Sequence, residues 1–182
     1  MSARTSPDLQ TDAALAAAYR RGDERAAAEL VRRHAGPVGR FLYSSGAEAS
    51  DVDDLVQETF FRAFRGLSGW RGEASFRSWL FTIGGNLLRD EFRRRKGRRM
   101  LSLEDRDLPD PADPHADLAA REAGERIREG LTRLPRLQRE VFLLRALEGS
   151  DYDEIAAALG TTPGAARVHY HHAVKRLKEL VP

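Results

Sequence analysis

The chain has 182 residues, of which 41% are hydrophobic and 32% charged, and its formal net charge is +2. This length suits one medium domain or two small ones, and no apolar run approaches the ~20 residues that a membrane-spanning helix needs. The first ten residues lack the pattern of a secretory signal. The absence of cysteine excludes disulfides and cysteine-ligated zinc, and it fits a cytoplasmic protein without membrane insertion.

The charge is divided unevenly along the chain. Residues 15–100 carry 17 basic and 11 acidic side chains, whereas residues 101–120 carry one basic and six acidic. The stretch LSLEDRDLPDPADPHA, residues 101–116, also has three prolines and no apolar period, which disfavours a helix. We therefore predict an acidic linker at 100–117 between domains at 11–99 and 118–181. The basic block suggests a polyanionic partner, although solvated helix faces explain such charge equally well.

Neither domain alternates apolar and polar residues as a half-buried strand does, so the sequence predicts an all-α fold of two small helical domains. In DVDDLVQETFFRAF, residues 51–64, apolar residues recur at helical period and predict one buried face. Off that face lie Asp51, Asp54, Gln57, Glu58 and Phe61. A second helix is predicted from about Ser75 into a basic run at 89–99, with an inner face of Phe76, Trp79, Leu80, Ile83 and Leu87.

The C-terminal domain carries the signals of two helices joined by a tight turn. We predict that Ser150 caps the first helix, with Asp153 completing a capping box. Gly160 supplies the left-handed residue that ends it, and Thr162 caps the second helix with Pro163 at its first position. The inner face of the second helix is predicted to hold Ala166, Tyr170, Ala173, Val174 and Leu177. Its outer face is predicted to present Arg167, His169, His171, His172, Lys175 and Arg176.

This arrangement is typical of a DNA-binding helix-turn-helix, whose second helix enters the major groove. An ordinary helical hairpin is the alternative. The three histidines at 169, 171 and 172 raise the question of a metal, but a closed zinc site needs about four ligands and none nearby completes the set. The carboxylates at 51–58 raise the question of catalysis, yet no nucleophile, histidine or metal signature joins them. We expect no metal, no cofactor, no small-molecule substrate and no enzymatic activity.

Two motifs together resemble a known family. The segment from Leu131 to Leu180 resembles the promoter-binding C-terminal domain of sigma-70-type factors. DVDDLVQETFFRAF, followed by FRSWLFTIGGNLLRDEFRRRKGRR, resembles their N-terminal core domain. The order, the spacing and the lack of a middle domain resemble the extracytoplasmic-function (ECF) group. The resemblance implies an alternative sigma factor that binds core RNA polymerase and directs transcription from particular promoters.

The resemblance also implies roles for the residues singled out above. The helix at 51–64 would dock on a coiled coil of the largest polymerase subunit through Asp51, Asp54, Gln57, Glu58 and Phe61. The −10 element would be read and opened by Trp70, Arg71, Asn86, Arg89, Arg93 and Arg94, with Asn86 at the position of the family's base-contacting asparagine. The six outward residues of the last helix would hold the −35 element. The linker would thread the RNA exit path, and an anti-sigma factor would mask both domains.

Some positions depart from the family pattern. Gly84 and Gly85 stand inside a helix, where each costs ~1 kcal/mol relative to alanine. They either bend the helix or permit close backbone approach. Val168 and His169 stand where the family often has serine and arginine, so the −35 sequence that is read is expected to be unusual. The rival function is a freestanding dimeric helix-turn-helix regulator, but the N-terminal domain has neither a βα pattern nor a long heptad for it.

Overall fold

The computed structural model describes residues 11–99 and 118–180. These ranges fold into α-helices and one 3₁₀ turn, with no strand among the described residues, which confirms the all-α prediction. The predicted linker at 100–117 lies outside the described residues, as do the side chains of Lys96, Arg98 and Arg99. No described helix combines the length and apolarity needed to cross a membrane. The helices are α1 (Asp12–Arg20), α2 (Glu24–Ser44), α3 (Ala49–Gly66), α4 (Phe76–Arg99), α5 (Leu118–Thr132), α6 (Arg136–Ala146), α7 (Tyr152–Leu159) and α8 (Pro163–Leu180).

The N-terminal domain is organised around α2, which contacts α1, α3 and α4. The side chain of Thr11 caps α1 by accepting from the Ala14 N–H at 3.2 Å. Phe41 of α2 stacks on Phe81 of α4 with ring centroids 4.7 Å apart. The predicted inner face of α3 is confirmed, because it packs with this core while Asp54 and Phe61 stay exposed. The core of this domain therefore forms where three amphipathic faces meet.

Helix α4 is buried on more sides than its sequence pattern predicts. Phe76, Leu80 and Leu87 of the predicted inner face are buried, but so are Phe81 and Leu88. The reason is that α4 packs against α2 and α3 on one side and faces α7 of the C-terminal domain on another. A helix with two covered sides has no single apolar stripe, so periodicity alone identifies only part of its buried surface.

The two glycines inside α4 differ in the space around them. The helix runs without a break from Phe76 to Arg99. A Cβ on Gly84 would lie 3.2 Å from the Thr59 Oγ1 and 3.4 Å from Leu42. A Cβ on Gly85 would lie 3.5 Å from the Glu140 Oε1, in the other domain. Gly84 is therefore needed for close approach to Thr59, whereas Gly85 has room for a Cβ at an ordinary contact distance.

In the C-terminal domain, the N-terminal cap of α7 is one residue later than predicted. The Asp151 carboxylate accepts from the Glu154 N–H at 2.8 Å, and the Glu154 carboxylate accepts from the Asp151 N–H at 3.3 Å. The prediction of Ser150 and Asp153 is wrong because Ser150 belongs to the preceding turn. Its N–H donates to the Leu144 carbonyl at 3.1 Å, and the residue is buried.

The turn between α7 and α8 follows the sequence prediction. Gly160 ends α7 in the left-handed conformation, with φ 64° and ψ 41°. The Thr162 hydroxyl then accepts from the Ala165 N–H at 3.2 Å, and α8 begins at Pro163. Ala166 and Ala173 are fully buried where α8 crosses α6 and α7. The small side chains let the helices approach closely and fix the direction in which α8 leaves the domain.

Candidate nucleic-acid interface

The outer face of α8 is a cationic surface. Five of its six predicted DNA-contacting residues are exposed and His169 is half-buried. Val168 lies on the same face and is 52% exposed. Because Thr162 and Pro163 fix the start of the helix, these side chains project from a rigid element. The exposed residues are Arg167, His171, His172, Lys175 and Arg176.

The ring of Tyr152 organises the start of this surface, a role that the sequence reasoning missed. The guanidinium of Arg167 lies 5.1 Å from the centroid of the Tyr152 ring, and the guanidinium of Arg145 lies 5.0 Å from it. Tyr152 meets Tyr170 edge-on at 6.3 Å. These distances are typical of cation–π contacts. Tyr152 is the first residue of α7 and is in register with its apolar stripe at Ile155 and Ala156, so helical period predicts a core position and does not indicate this role.

Two of the predicted −10 residues on α4, Asn86 and Arg89, lie beside the C-terminal domain. Asn86 is exposed, and its side-chain oxygen accepts from the guanidinium of Arg89. Both residues line a cleft of about 470 Å³ together with Arg136 and Glu140 of α6 and residues 157–160 at the end of α7. Asn86 is therefore accessible from this cleft and faces the other domain across it.

The basic run of α4 is partly neutralised by its own carboxylates. Arg93 forms an ion pair with Asp90, and Arg94 lies 3.3 Å from Glu91. The side chains of Arg93 and Arg94 remain 74% and 61% exposed, so both are open to a ligand. A DNA phosphate would replace an exposed intrahelical pair, which contributes little to stability.

The predicted loop residue Trp70 is half-buried rather than fully open to solvent. Its ring stacks on Trp79 at 6.2 Å and meets Phe76 edge-on at 5.4 Å. Its indole N–H donates to the Ala74 carbonyl at 3.1 Å. Arg71, the next residue, is exposed. The tryptophan thus anchors the loop to the domain core while its neighbour projects from it.

The predicted docking residues share one side of α3. Phe61 is 55% exposed, with the guanidinium of Arg65 5.5 Å from its ring centroid. The carboxylate of Glu58 pairs with Arg62 at 2.7 Å. Asp54 and Gln57 are exposed beside them. An exposed aromatic ring with acidic neighbours suits a partner that presents apolar and basic groups together.

Asp51 is tied to α4 by an ion pair with Arg95. Arg95 also donates to Glu91 at 3.1 Å. Partial burial opposes the charge of the guanidinium, but the carboxylates of Glu91 and Asp51 raise the pKa of Arg95 above its ordinary value. Asp51 therefore joins the docking helix to the basic helix.

Comparison with known proteins identifies the family. The family model for sigma-70 region 2 matches residues 30–98, and the model for sigma-70 region 4 matches residues 124–177. The RNA polymerase sigma factor NccH of Alcaligenes xylosoxydans xylosoxydans is 36% identical over 179 residues, covering 96% of each chain. The ECF RNA polymerase sigma factor SigM of Mycobacterium tuberculosis is 31% identical, covering 94% of this chain and 85% of its own. The chain belongs to the ECF group of the sigma-70 family.

The similarity of this chain to sigma factors extends to a solved structure. CnrH, in complex with the cytosolic domain of CnrY, superposes with a TM-score of 0.73 at 33% identity, covering 94% of this chain and 97% of that chain. CnrH of Cupriavidus metallidurans is 35% identical over 179 residues. The protein is a sigma factor that binds core RNA polymerase and directs transcription from specific promoters, which disfavours the freestanding regulator.

The region 2 match contains the residues predicted for docking and for the −10 element, and the region 4 match contains those predicted for the −35 element. Within the described ranges, no group of three or more histidine, aspartate or glutamate residues is placed to hold a metal ion. His171 and His172 of α8 instead belong to its outer surface, and His169 is half-buried. The candidate interface of the sigma factor is therefore made of three separate surfaces: one on α3, one on the loop at 66–75 and α4, and one on α8.

Proposed function

We propose a division of labour among these three surfaces. The outer face of α8 holds the −35 element as duplex, the loop at 66–75 and α4 open the −10 element, and α3 holds core polymerase. The observation that carries the proposal is the exposed cationic face of α8 directly after the capped turn at Gly160 and Thr162. The protein works in the cytoplasm, and RNA synthesis is catalysed by the polymerase.

The −35 surface combines two kinds of contact. Exposed arginine and lysine side chains bind phosphates, and those near the start of a recognition helix also reach base edges. Arg167 is held at that start by the ring of Tyr152, which supports a role in base readout. Lys175 and Arg176 lie two turns later and suit the phosphate backbone. Val168 and the half-buried His169 stand between them and set the base preference.

The −10 surface has the groups that strand opening requires. Extruding a base costs a few kcal/mol of stacking and pairing, and cations and ring or amide surfaces recover that energy. Arg71 is exposed in the loop that Trp70 anchors. Asn86 and Arg89 of α4 are joined by a hydrogen bond between their side chains. Arg93 and Arg94 extend the cationic path along α4. The single strand would follow this path.

The polymerase surface is centred on Phe61. An exposed aromatic ring with Arg65 against one face and the Glu58–Arg62 pair beside it resembles a binding hot spot with a polar rim. Phe61→Ser should weaken binding to core polymerase by roughly tenfold, a loss of about 1.4 kcal/mol. Leu147→Ser is the matched control, because Leu147 is 54% exposed but lies in the other domain. If both variants bind core polymerase equally well, the docking surface is not centred on Phe61.

We also propose that an anti-sigma factor regulates the protein. CnrH, the relative described above, was solved in complex with the cytosolic domain of another protein. The α3 and α8 surfaces remain exposed here, so a partner that covers both would block polymerase and promoter binding together.

The test of the whole function uses purified protein and core polymerase on genomic DNA, with sequencing of the transcript 5′ ends. The expected result is a set of start sites that share upstream elements near −35 and −10 and that are absent with core polymerase alone. The proposal fails if no specific start site appears while the protein alone binds duplex DNA tightly.

A further inference from the structure

Helix α1 ends against the loop that carries part of the proposed −10 surface. The Nη2 of Arg20, the last residue of α1, donates to the Leu67 carbonyl and to the Trp70 carbonyl, the second at 3.0 Å. These carbonyls stand at the two ends of the 3₁₀ turn at Leu67–Gly69. A single guanidinium nitrogen carries two hydrogens, so it can serve both acceptors. Arg20 thus closes the turn from outside, beside the turn's own bond from the Trp70 N–H to the Leu67 carbonyl at 3.2 Å.

The Trp70 carbonyl belongs to the peptide group that joins Trp70 to Arg71. A peptide group is planar, so a hydrogen bond to this carbonyl also restricts the direction in which the chain continues to Arg71. That arginine is exposed and is proposed above to meet the −10 strand. Glycines stand on both sides of the peptide, at 69 and 72, and Gly72 has φ 77°. Because glycine has the freest backbone, this part of the loop gains most from an external hold.

The other side of the loop is attached by its own residues. The Trp70 indole N–H donates to the Ala74 carbonyl at 3.1 Å. The Ser75 hydroxyl accepts from the Ser78 N–H at 3.2 Å and donates to the Ser78 hydroxyl at 2.9 Å, where α4 begins. Those bonds fix residues 74–78, which follow Arg71. The bonds of Arg20 do the same for residues 67–70, which precede it.

Helix α1 is itself firmly held. At its start, the Asp12 carboxylate lies 2.7 Å from the His34 Nε2 and 3.2 Å from the Arg33 guanidinium, both on α2. Near its end, the Tyr19 ring packs on the Phe64 ring of α3 with centroids 4.9 Å apart. The helix is thus attached at both ends, so α2 and α3 set the position of its last residue.

We propose that Arg20 is a positioning residue for −10 opening, because it holds the turn at 67–70 in the shape from which Arg71 meets the strand. This inference rests on the division of labour proposed above. It adds α1 to the −10 surface, although α1 lies outside the region 2 match at residues 30–98. A loop that is already ordered loses less conformational entropy when it captures a base. Removal of the hold should therefore slow opening without weakening the first contact with duplex promoter.

The state of the loop is measured by the fluorescence of Trp70 in the full chain. The sequence has two tryptophans, so Trp79→Phe leaves Trp70 as the only one and keeps an aromatic ring beside it. In this background, Arg20→Met keeps an unbranched side chain and removes both hydrogen bonds. It should increase quenching by acrylamide, because the loop opens to solvent more often. Arg21→Met removes the same charge from the next residue, which is also exposed, and should leave quenching unchanged.

Opening is measured with core polymerase on a promoter obtained by the start-site mapping described above. Permanganate modification of unpaired thymines, followed over time at several polymerase concentrations, separates the constant for initial binding from the rate constant for opening. Arg20→Met should lower the opening rate constant by about five- to tenfold, the cost of ordering about one residue of backbone. It should leave the initial binding constant unchanged. Arg21→Met should match the parent protein in both constants.

A second substitution separates holding the loop from holding DNA. Nothing lies within 4 Å of a Cβ atom built on Gly69, and its φ is outside the left-handed region. Gly69→Ala should therefore stiffen the turn without a clash, and it should recover about two- to fivefold of the opening rate lost in Arg20→Met. If Arg20 instead bound a DNA phosphate, Gly69→Ala would recover nothing. Arg20→Met would then reduce the magnitude of the salt slope by about 0.7, and the positioning role would be wrong.

Three other results would overturn the proposal. They are equal opening rates in Arg20→Met and the parent protein, equal slowing by Arg21→Met, and slowing without a change in Trp70 quenching. Arg20 is exposed, so its replacement should leave the fold intact, which circular dichroism at the assay temperature checks. Failure of the proposed function is a separate result: the parent protein itself would open no promoter, while Trp70 quenching would still respond to Arg20→Met.

Discussion

Thr59 packs so closely against Gly84 that a Cβ atom added to the glycine would lie 3.2 Å from the threonine hydroxyl oxygen. Thr59 is fully buried, and its hydroxyl donates to the Leu55 carbonyl at 2.6 Å, so the side chain is held in place. Gly84→Ala should therefore destabilise the N-terminal domain by roughly 1–2 kcal/mol, since overpacking outweighs the ~1 kcal/mol gain in helix propensity. Urea unfolding measures the difference.

Gly85 is the matched comparison for this prediction. Its added Cβ would meet the nearest atom, the Glu140 Oε1, at an ordinary contact distance of 3.5 Å. Gly85→Ala should therefore be neutral or stabilising by up to ~1 kcal/mol. Equal destabilisation by both substitutions would show that backbone flexibility, rather than space, requires these glycines.

Glu29 should make the N-terminal domain sensitive to acid. Hydrogen bonds from Arg32 and Arg33 lower the pKa of Glu29 to about 2. A carboxylate in the unfolded chain has a pKa of about 4.3, so its stabilisation is complete above that value and is lost as the pH falls toward about 2. Near pH 7, Glu29→Gln should unfold at a lower urea concentration than the parent protein. On acidification, its free energy of unfolding should fall by less than that of the parent. Circular dichroism of urea unfolding near pH 7 and near pH 3 checks this.

The control for Glu29 is Glu73→Gln, which removes a carboxylate from an exposed loop position. Its unfolding curve should keep the pH dependence of the parent protein. An identical acid response of the parent and of Glu29→Gln would mean that the Arg32 and Arg33 bonds contribute no net stability.

The ring of Tyr152 should matter for −35 binding through Arg167. Tyr152→Leu keeps apolar volume but removes the π face, and an exposed cation–π contact contributes about 0.5–1 kcal/mol. Binding of the polymerase complex to −35 duplex should weaken by about two- to fivefold. Tyr152→Phe keeps the face and should bind normally. Melting temperatures of both variants show whether the domain stays folded. If the folded variants bind the duplex equally, the Tyr152 ring does not contribute to DNA binding by Arg167.

Two neighbouring arginines of α4 should give different phenotypes. Arg93 pairs with Asp90 of the same helix, and its side chain is 74% exposed. Arg93→Gln should therefore remove one phosphate contact and reduce the magnitude of the slope of log affinity against log salt concentration by about 0.7–0.9. Arg95 is bound to Asp51 of α3. Arg95→Gln should therefore cost up to about 1 kcal/mol of domain stability with less change in salt slope. A salt titration and a thermal melt of each variant separate these effects, and the reverse pattern would exchange the two roles.

The features that the sequence predicted well are local. Gly160, Thr162 and Pro163 specify the turn of the helix-turn-helix within a few residues, because backbone conformation and capping depend on immediate neighbours. The predicted cap of α7 is one residue too early because Ser150 and Asp151 are both good capping residues. The reciprocal bonds of Asp151 with Glu154, and the hydrogen bond from the Ser150 N–H to the Leu144 carbonyl, distinguish them.

The features that the sequence did not predict depend on contacts between distant segments. Arg95 and Asp51 are far apart in sequence, and nothing in the helical period of either helix indicates that they meet. The burial of Phe81 and Leu88 likewise follows from the second side of α4 being covered. The positions of the site residues were thus predictable as helix faces, whereas their partners required the tertiary structure.

The central claim is that α8 reads −35 and α4 reads −10 independently. The most direct measurement is run-off transcription by the polymerase complex from four templates, with each element intact or altered separately and together. Arg167→Ala, which removes the proposed base contact, should lose most of its response to an altered −35 element while keeping the full response to −10, and Asn86→Ala should do the opposite. Equal loss of both responses in either variant would contradict the account.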